Sequence, residues 1–280
     1  MKKVTKQVLI TGLLIFAAFG LMAATGKKVI TVKGSDTIVI LAQRWAEEYM
    51  AKHPDVTVQV TGGGSGVGIS ALINGTTDIA DASRPMKKSE MDKLKLRFNS
   101  LGYETKCAKD GITLYLNESN PVSELTIDQI RAIYLGETTN WKDVGGPDDK
   151  IILYGRENSS GTYVYFRDNV LNGKDYSSTM QSLPGTAAVV NAVAKDKLGI
   201  GYGGAAYAKG VKKVKVKKDA NSPSYEPTPE TIKTNEYPIT RYLYMYTKAK
   251  PFGELKDYID WTLSDEGQSV VTKVGYFPVK

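Results

Sequence analysis

An α/β fold is the architecture this sequence predicts. Two observations lead to it. Short runs with period-2 alternation are followed by runs of helical period, and the joints between them are small loops rich in glycine and hydroxyl residues. Ligands of such folds sit at the carboxyl ends of the strands. Three joints stand out: Gly34-Ser35-Asp36-Thr37, Gly62-Gly63-Gly64-Ser65-Gly66 and Ser159-Ser160-Gly161-Thr162.

Taken in order, residues 28–33 (KVITVK) alternate as a strand. After the first loop, Ile38, Leu41, Ala42, Trp45 and Tyr49 recur at helical spacing, and His53 before Pro54 ends that helix. Residues 56–60 form a second strand, which the glycine-rich loop follows, and a short helix spans 67–74. DIADAS, 78–83, reads as a third strand that stops at Arg84-Pro85. Further on, strands are expected over 111–116, 151–154, 198–202 and 242–247. Helices are expected over 125–135 (opened by Thr126 and Asp128), 163–170, 186–195, 255–263 and 267–273. In 209–218, Val211, Val214 and Val216 interleave with lysines, the pattern of an exposed strand with a solvated face. The proline-rich stretch 221–229 reads as loop.

A chain of 280 residues fits one large domain or two ordinary ones, and 41% hydrophobic content allows a sizeable core. Residues 1–26 stand apart. Lys2, Lys3 and Lys6 precede an apolar run, 8–24, that closes on Ala23 and Ala24, as an export signal does. Met22 sits where cleavage prefers a small residue, so a retained membrane anchor is the alternative. The formal charge is +7, falling to about +4 without those three lysines, too mild and too poor in interleaved aromatics for a nucleic-acid surface. Cys107 is the lone cysteine, so no intrachain disulfide forms, and His53 is the lone histidine. No Cys/His cluster suggests zinc, and a Ser-His-Asp hydrolase would rest on His53, far from every hydroxyl loop.

The loops carry the chemistry. A helix N-terminus leaves its first N–H groups unpaired and partly positive, which suits a small anion. Ser35, Thr37, Ser65, Ser83, Ser160 and Thr162 offer donors without charge. Gly66 and Gly161 let the backbone approach a ligand closely, and Arg156 supplies a planar, charged fork. Alone, each loop reads as a helix cap. Three of them, each after a strand and one preceded by Arg156, suggest a shared tetrahedral oxyanion. Neither P-loop nor dinucleotide glycine spacing is present.

These residues resemble the phosphate-binding proteins of ABC transporters, over about 29–279. The resemblance rests on an ordered set: GSDT at Gly34, GGGSGVGI at Gly62, DIADASRPM at Asp78, TTNWKDVGG at Thr138, GRENSSGTYVYF at Gly155, YPITRYLYMY at Tyr237 and LSDEGQSVVTKVGYFPV at Leu263. It implies a two-lobed periplasmic-binding-protein fold (type II), with two crossing strands near 111–116 and 237–246 and phosphate enclosed in the interlobe cleft. The implied lobes are 27–110 plus 240–280, and 111–239, after a signal peptide or N-terminal anchor over 1–26. The implied partners are inorganic phosphate and the membrane permease subunits of an ABC transporter. The protein would be a periplasmic or extracytoplasmic monomer with no cofactor, no metal, no nucleic acid and no catalysis.

Carried over residue by residue, Arg156, Ser160, Gly161 and Thr162 match the family's R-x-x-x-S-G-T donors. Ser65 matches the glycine-rich loop, Ser35 and Thr37 the first loop, and Ser83 the end of the third strand. One departure stands out. Many members place an aspartate just after that serine, to accept the proton of hydrogen phosphate; here the position is Arg84. A protonated oxygen facing only donors is penalised, so an acceptor is still required. Asp36 is the expected substitute and Asp81 the second choice. Arg84 is expected either to charge the site or to pair with a carboxylate across the cleft. The competing readings are a sulfate or molybdate binder, a secreted phosphatase, and a surface protein whose loops are only caps.

Overall fold

The computed structural model describes residues 27–280. The signal or anchor expected over 1–26 lies outside the described residues. The strands, in order, are β1 (Lys28–Gly34), β2 (Val56–Thr61), β3 (Ile79–Ala82), β4 (Tyr103–Leu116), β5 (Glu124–Thr126), β6 (Ile152–Arg156), β7 (Gln181–Leu183), β8 (Gly199–Gly204), β9 (Lys212–Lys217), β10 (Ser224–Tyr225) and β11 (Thr240–Thr247). The helices are α1 (Val39–Lys52), α2 (Ser65–Asn74), α3 (Lys88–Phe98), α4 (Ile127–Leu135), α5 (Gly161–Asn169), α6 (Thr186–Lys195), α7 (Pro229–Lys233), α8 (Gly253–Thr262) and α9 (Asp265–Val274).

The strands hydrogen-bond in the order β2-β1-β3-β11-β4-β8-β6-β7. At one end β1 runs parallel to β2 and β3; at the other, β6 runs parallel to β7 and β8. Between them β4 and β11 lie antiparallel, with Asp110 directly opposite Arg241. β4 is long enough to serve both ends: residues from Tyr103 pair with β11, and Ile112 to Leu116 pair with β8. Mixed pairing of this kind lets two parallel α/β units share one sheet.

Each end has its own core. The first is built from Ile30, Val32, Trp45, Val58, Leu243, Tyr258 and Val270. Trp45 is fully buried there, and its indole N–H donates to the Gly267 carbonyl at 2.8 Å. The second collects Leu114, Ile133, Trp141, Phe166, Tyr202 and Val214. Buried apolar area on this scale is what drives each lobe together.

Several elements differ from their sequence reading for local reasons. α3 had no expectation because its face is charged and only Leu94 is buried. β4 begins eight residues before Gly111, since Tyr103, Glu104 and Lys106 place exposed side chains on a strand paired along its whole length. In β9 the lysines do face outward, but Val214 and Val216 are fully buried and the strand is paired by β4, β5 and β10. The stretch 221–229 holds β10 and the start of α7, where Thr228 caps the helix and Pro229 occupies its first turn. His53 ends α1 as expected, stacked on Tyr49 at 4.1 Å.

One buried group works against the first core. Burial pushes the Cys107 thiol and the Tyr258 hydroxyl up, the nearby Asp81 side chain adds to this, and neither the Asp81 Oδ1 nor the Tyr258 hydroxyl has a partner. Burial lifts the Asp81 carboxyl from 3.8 to about 8. The folded state therefore holds this proton more tightly than the unfolded chain, so stability falls as pH rises between those two values and levels off above. Asp81→Asn is expected to flatten that part of the curve and to stabilise the protein most above the upper value. Urea unfolding across that pH range checks it.

Candidate functional site

The three loops meet between the lobes. In the first, the Ser35 carbonyl accepts from the Ile38 and Val39 amides, turning the chain into α1, while the Ser35 amide donates to the Asp81 carbonyl at 2.9 Å. In the second, Gly64 adopts φ 94° and α2 opens at Ser65. In the third, Ser160 caps α5 by accepting from the Tyr163 amide at 3.3 Å. All three helices thus point their N-termini into the cleft, and Ser35, Thr37, Ser65, Ser83, Ser160 and Thr162 are all buried.

Glycine permits this approach at two places. A β-carbon on Gly161 would sit 2.3 Å from the Ser65 hydroxyl and 2.6 Å from that of Ser83. One on Gly64, whose positive φ already disfavours side chains, would sit 2.8 Å from the Ser159 carbonyl. Next to it the Gly66 amide donates to that same carbonyl at 2.9 Å. The hydroxyls of Thr37 and Thr162, one from each lobe, stand 2.8 Å apart, and those of Ser65 and Ser83 stand 3.3 Å apart.

Two buried arginines flank the hydroxyls. Arg156 donates from Nη1 to Thr186 at 2.9 Å, and from Nη2 to Asp36 at 2.6 Å and Glu157 at 3.1 Å. Its Nε, although buried, has no partner. Asp36 also accepts the Gly63 amide at 2.7 Å, and its backbone carbonyl accepts the Tyr207 hydroxyl. Asp36 therefore ties the glycine-rich loop to an arginine of the opposite lobe. Arg241, on β11, donates to Asp110 from Nε and Nη2, to the Ser83 carbonyl from Nη1, and from Nη2 to Thr162 at 2.9 Å and Thr37 at 3.5 Å. Burial pushes the Asp110 carboxyl up, and the charge and bonds of Arg241 pull it back.

Every hydroxyl candidate from the sequence thus lies at this junction, together with Gly66, Gly161, Arg156 and Asp36. Two expectations come out otherwise. Arg84 pairs on its own side of the cleft rather than across it: Nη1 and Nη2 donate to the two carboxylate oxygens of Glu90 at 2.8 and 2.7 Å. Burial raises the Glu90 carboxyl, but these bonds and the Lys87 amide bring it below its ordinary value. Asp81 lends the site its backbone carbonyl, while its carboxyl lies near Cys107 and Tyr258. Residues the sequence reading missed are Arg241, Asp110, Glu157 and Thr186. Arg241 carried one signal: it is the one charge in the strand segment TRYLYMYT, whose other positions are mostly buried.

Comparison with known proteins fits this geometry. The model for the PBP superfamily domain matches residues 22–266. The phosphate-binding protein PstS of Staphylococcus haemolyticus is 36% identical over 85% of this chain and 77% of its own. The chain belongs to the PstS phosphate-binding protein family. PstS of Pseudomonas aeruginosa is 32% identical over 88% of this chain and 81% of its own. A Clostridium perfringens chain assigned as a phosphate ABC transporter substrate-binding protein, solved with bound phosphate, superposes with a TM-score of 0.83 at 32% identity. It covers 90% of this chain and all of its own. An ABC-type phosphate transport receptor from Vibrio cholerae gives 0.71 at 30% identity, over 89% and 99% of the two chains. The two-lobed α/β architecture is that of this family.

The glycine contacts make a direct prediction. Gly161→Ala places a methyl group against Ser65 and Ser83 and is expected to hold the lobes apart without unfolding either. Small-angle scattering should show a larger radius of gyration than wild type, with the circular dichroism spectrum unchanged.

Proposed function

We propose that this protein captures inorganic phosphate outside the inner membrane and hands it to the permease subunits of an ABC transporter, with no chemistry on the ligand. The observation that carries the reading is the junction itself: six buried hydroxyls, three helix N-termini and Arg156 converge from two lobes. Such a shell supplies many donors and little net charge, which suits an anion that has to be bound firmly and then released. The relatives are named as binding proteins, in line with a carrier rather than an enzyme. We take the lobes as 27–110 plus 240–280, and 111–239, joined by β4 and β11, because the two cores divide at those strands. Closure about that hinge encloses the anion, and docking on the permease favours reopening.

Ser35, Thr37, Ser65, Ser83, Ser160, Gly161, Thr162 and Arg156 form the donor shell in this reading, with Gly66, whose amide is taken by the Ser159 carbonyl, allowing the close approach of the loops. Asp36 is the acceptor for the proton of hydrogen phosphate. Each of its oxygens already takes one hydrogen bond, from the Gly63 amide and from Arg156, and each has a lone pair left. Two nitrogens of Arg84 are spent on Glu90, and its buried Nε has no partner.

Titration calorimetry of ligand-stripped protein tests this with phosphate and then sulfate. Saturable phosphate binding with no sulfate heat is expected. Arg156→Met should weaken phosphate binding roughly 30-fold or more, because it also leaves Asp36 without its cation. Asp36→Asn should cost roughly tenfold or more and narrow the gap between the two anions. No heat from either anion, with no thermal shift, would return the loops to the role of helix caps.

A further inference from the structure

We infer that Arg241, held by Asp110, is a positioning residue that turns the Thr162 hydroxyl of the cleft, paired with that of Thr37, toward acting as a donor to the anion. The inference rests on the phosphate-binding reading and adds to it a residue pair outside the three loops.

A threonine hydroxyl has one proton to give and two lone pairs that accept. Left to themselves, Thr37 and Thr162, 2.8 Å apart, would satisfy one another, with one donating and the other accepting. The pair would then offer a ligand at most one proton. Arg241 changes this arrangement. Its Nη2 lies 2.9 Å from the Thr162 hydroxyl oxygen and 3.5 Å from that of Thr37, and a guanidinium can only donate. One Nη2 proton is spent on Asp110, so the other goes to the nearer oxygen, that of Thr162, which is thereby occupied as an acceptor on that side and keeps its own proton to turn toward an anion placed between the lobes. One cation on the hinge thus sets the direction of the Thr162 hydroxyl, the partner of Thr37 from the other lobe.

The guanidinium is fixed from every side. Asp110 sits opposite Arg241 in the register of the two crossing strands and accepts from both Nε and Nη2. Nη1 is taken by the Ser83 carbonyl at 2.8 Å, and the Tyr165 ring lies 5.4 Å from the guanidinium carbon. Both members of the ion pair are almost completely buried. A buried pair of this kind contributes little net stability once its desolvation is counted. Its position, bridging the hinge strands and the hydroxyls of both lobes, is accounted for by binding rather than by folding.

The test is calorimetric titration of inorganic phosphate into ligand-stripped protein, arranged as a cycle of wild type, Arg241→Gln, Thr162→Val and the double variant. Arg241→Gln is expected to weaken binding roughly tenfold or more, and the same change to cost markedly less once Thr162 has lost its hydroxyl. Arg241→Lys keeps the charge but not the planar fork, and is expected to restore only part of the loss. Melting temperature and near-ultraviolet circular dichroism check folding. If Arg241→Gln does not fold, the paired Asp110→Asn/Arg241→Gln protein, which leaves no lone buried charge, takes its place in the cycle. Unchanged affinity in the folded variant overturns the inference, as does an equal loss with and without the Thr162 hydroxyl. The latter would mean Arg241 acts on the anion by charge alone. A wild-type protein that binds no phosphate would instead overturn the functional reading on which the inference stands.

Discussion

The close contact between Gly161 and the hydroxyls of Ser65 and Ser83 is the constraint on which the rest of the site depends. With a side chain at Gly161 the third loop would stand off from the other two. Thr37 could not then face Thr162, and Asp36 could not reach Arg156 across the cleft. Three helix N-termini come together only because the backbone carries nothing in the way. The lobes supply the rigid support. The buried residues of the three helices pack into three separate clusters, so in the proposed closure the cleft would change by movement about β4 and β11 rather than by deformation of either lobe.

Charge is arranged sparingly around this junction. Arg156 is balanced by Asp36 and Glu157, Arg241 by Asp110, and Arg84 by Glu90. Three arginines thus stand against four carboxylates around the hydroxyls, so in the proposed site the pull on an anion would come from oriented dipoles. Fixed dipoles in a water-poor cleft act strongly because they need no reorganisation as the ligand arrives. In the proposed site the arrangement would also separate two tasks: the hydroxyls would meet ionised oxygens, and a carboxylate that still has free lone pairs could take a proton.

The loops were legible in the sequence because their chemistry is local. Serine or threonine at a helix start and glycine where chains touch are short-range requirements, visible in a few residues. The alternation of 28–33 and the helical spacing from Ile38 to Tyr49 were legible for the same reason. Arg241 and Asp110 were not, because their roles come from register: they oppose one another only after residues 131 positions apart in the chain have paired. Arg84 was read by its neighbour Ser83, but adjacency along the chain does not set direction. Glu90, whose carboxylate also accepts the Lys87 amide at the start of α3, draws the guanidinium away. That helix itself escaped notice because a surface helix with one buried leucine shows almost no periodic signal.

The most direct test of the account is the structure of the phosphate-loaded protein at a resolution that places individual oxygens. The account predicts the anion at the junction of α1, α2 and α5, within hydrogen-bond distance of the Thr37 and Thr162 hydroxyls and Arg156, with the Asp36 carboxylate beside one oxygen. It would be contradicted by phosphate bound elsewhere, for example along the lysine face of β9, while the cleft hydroxyls stayed paired with one another.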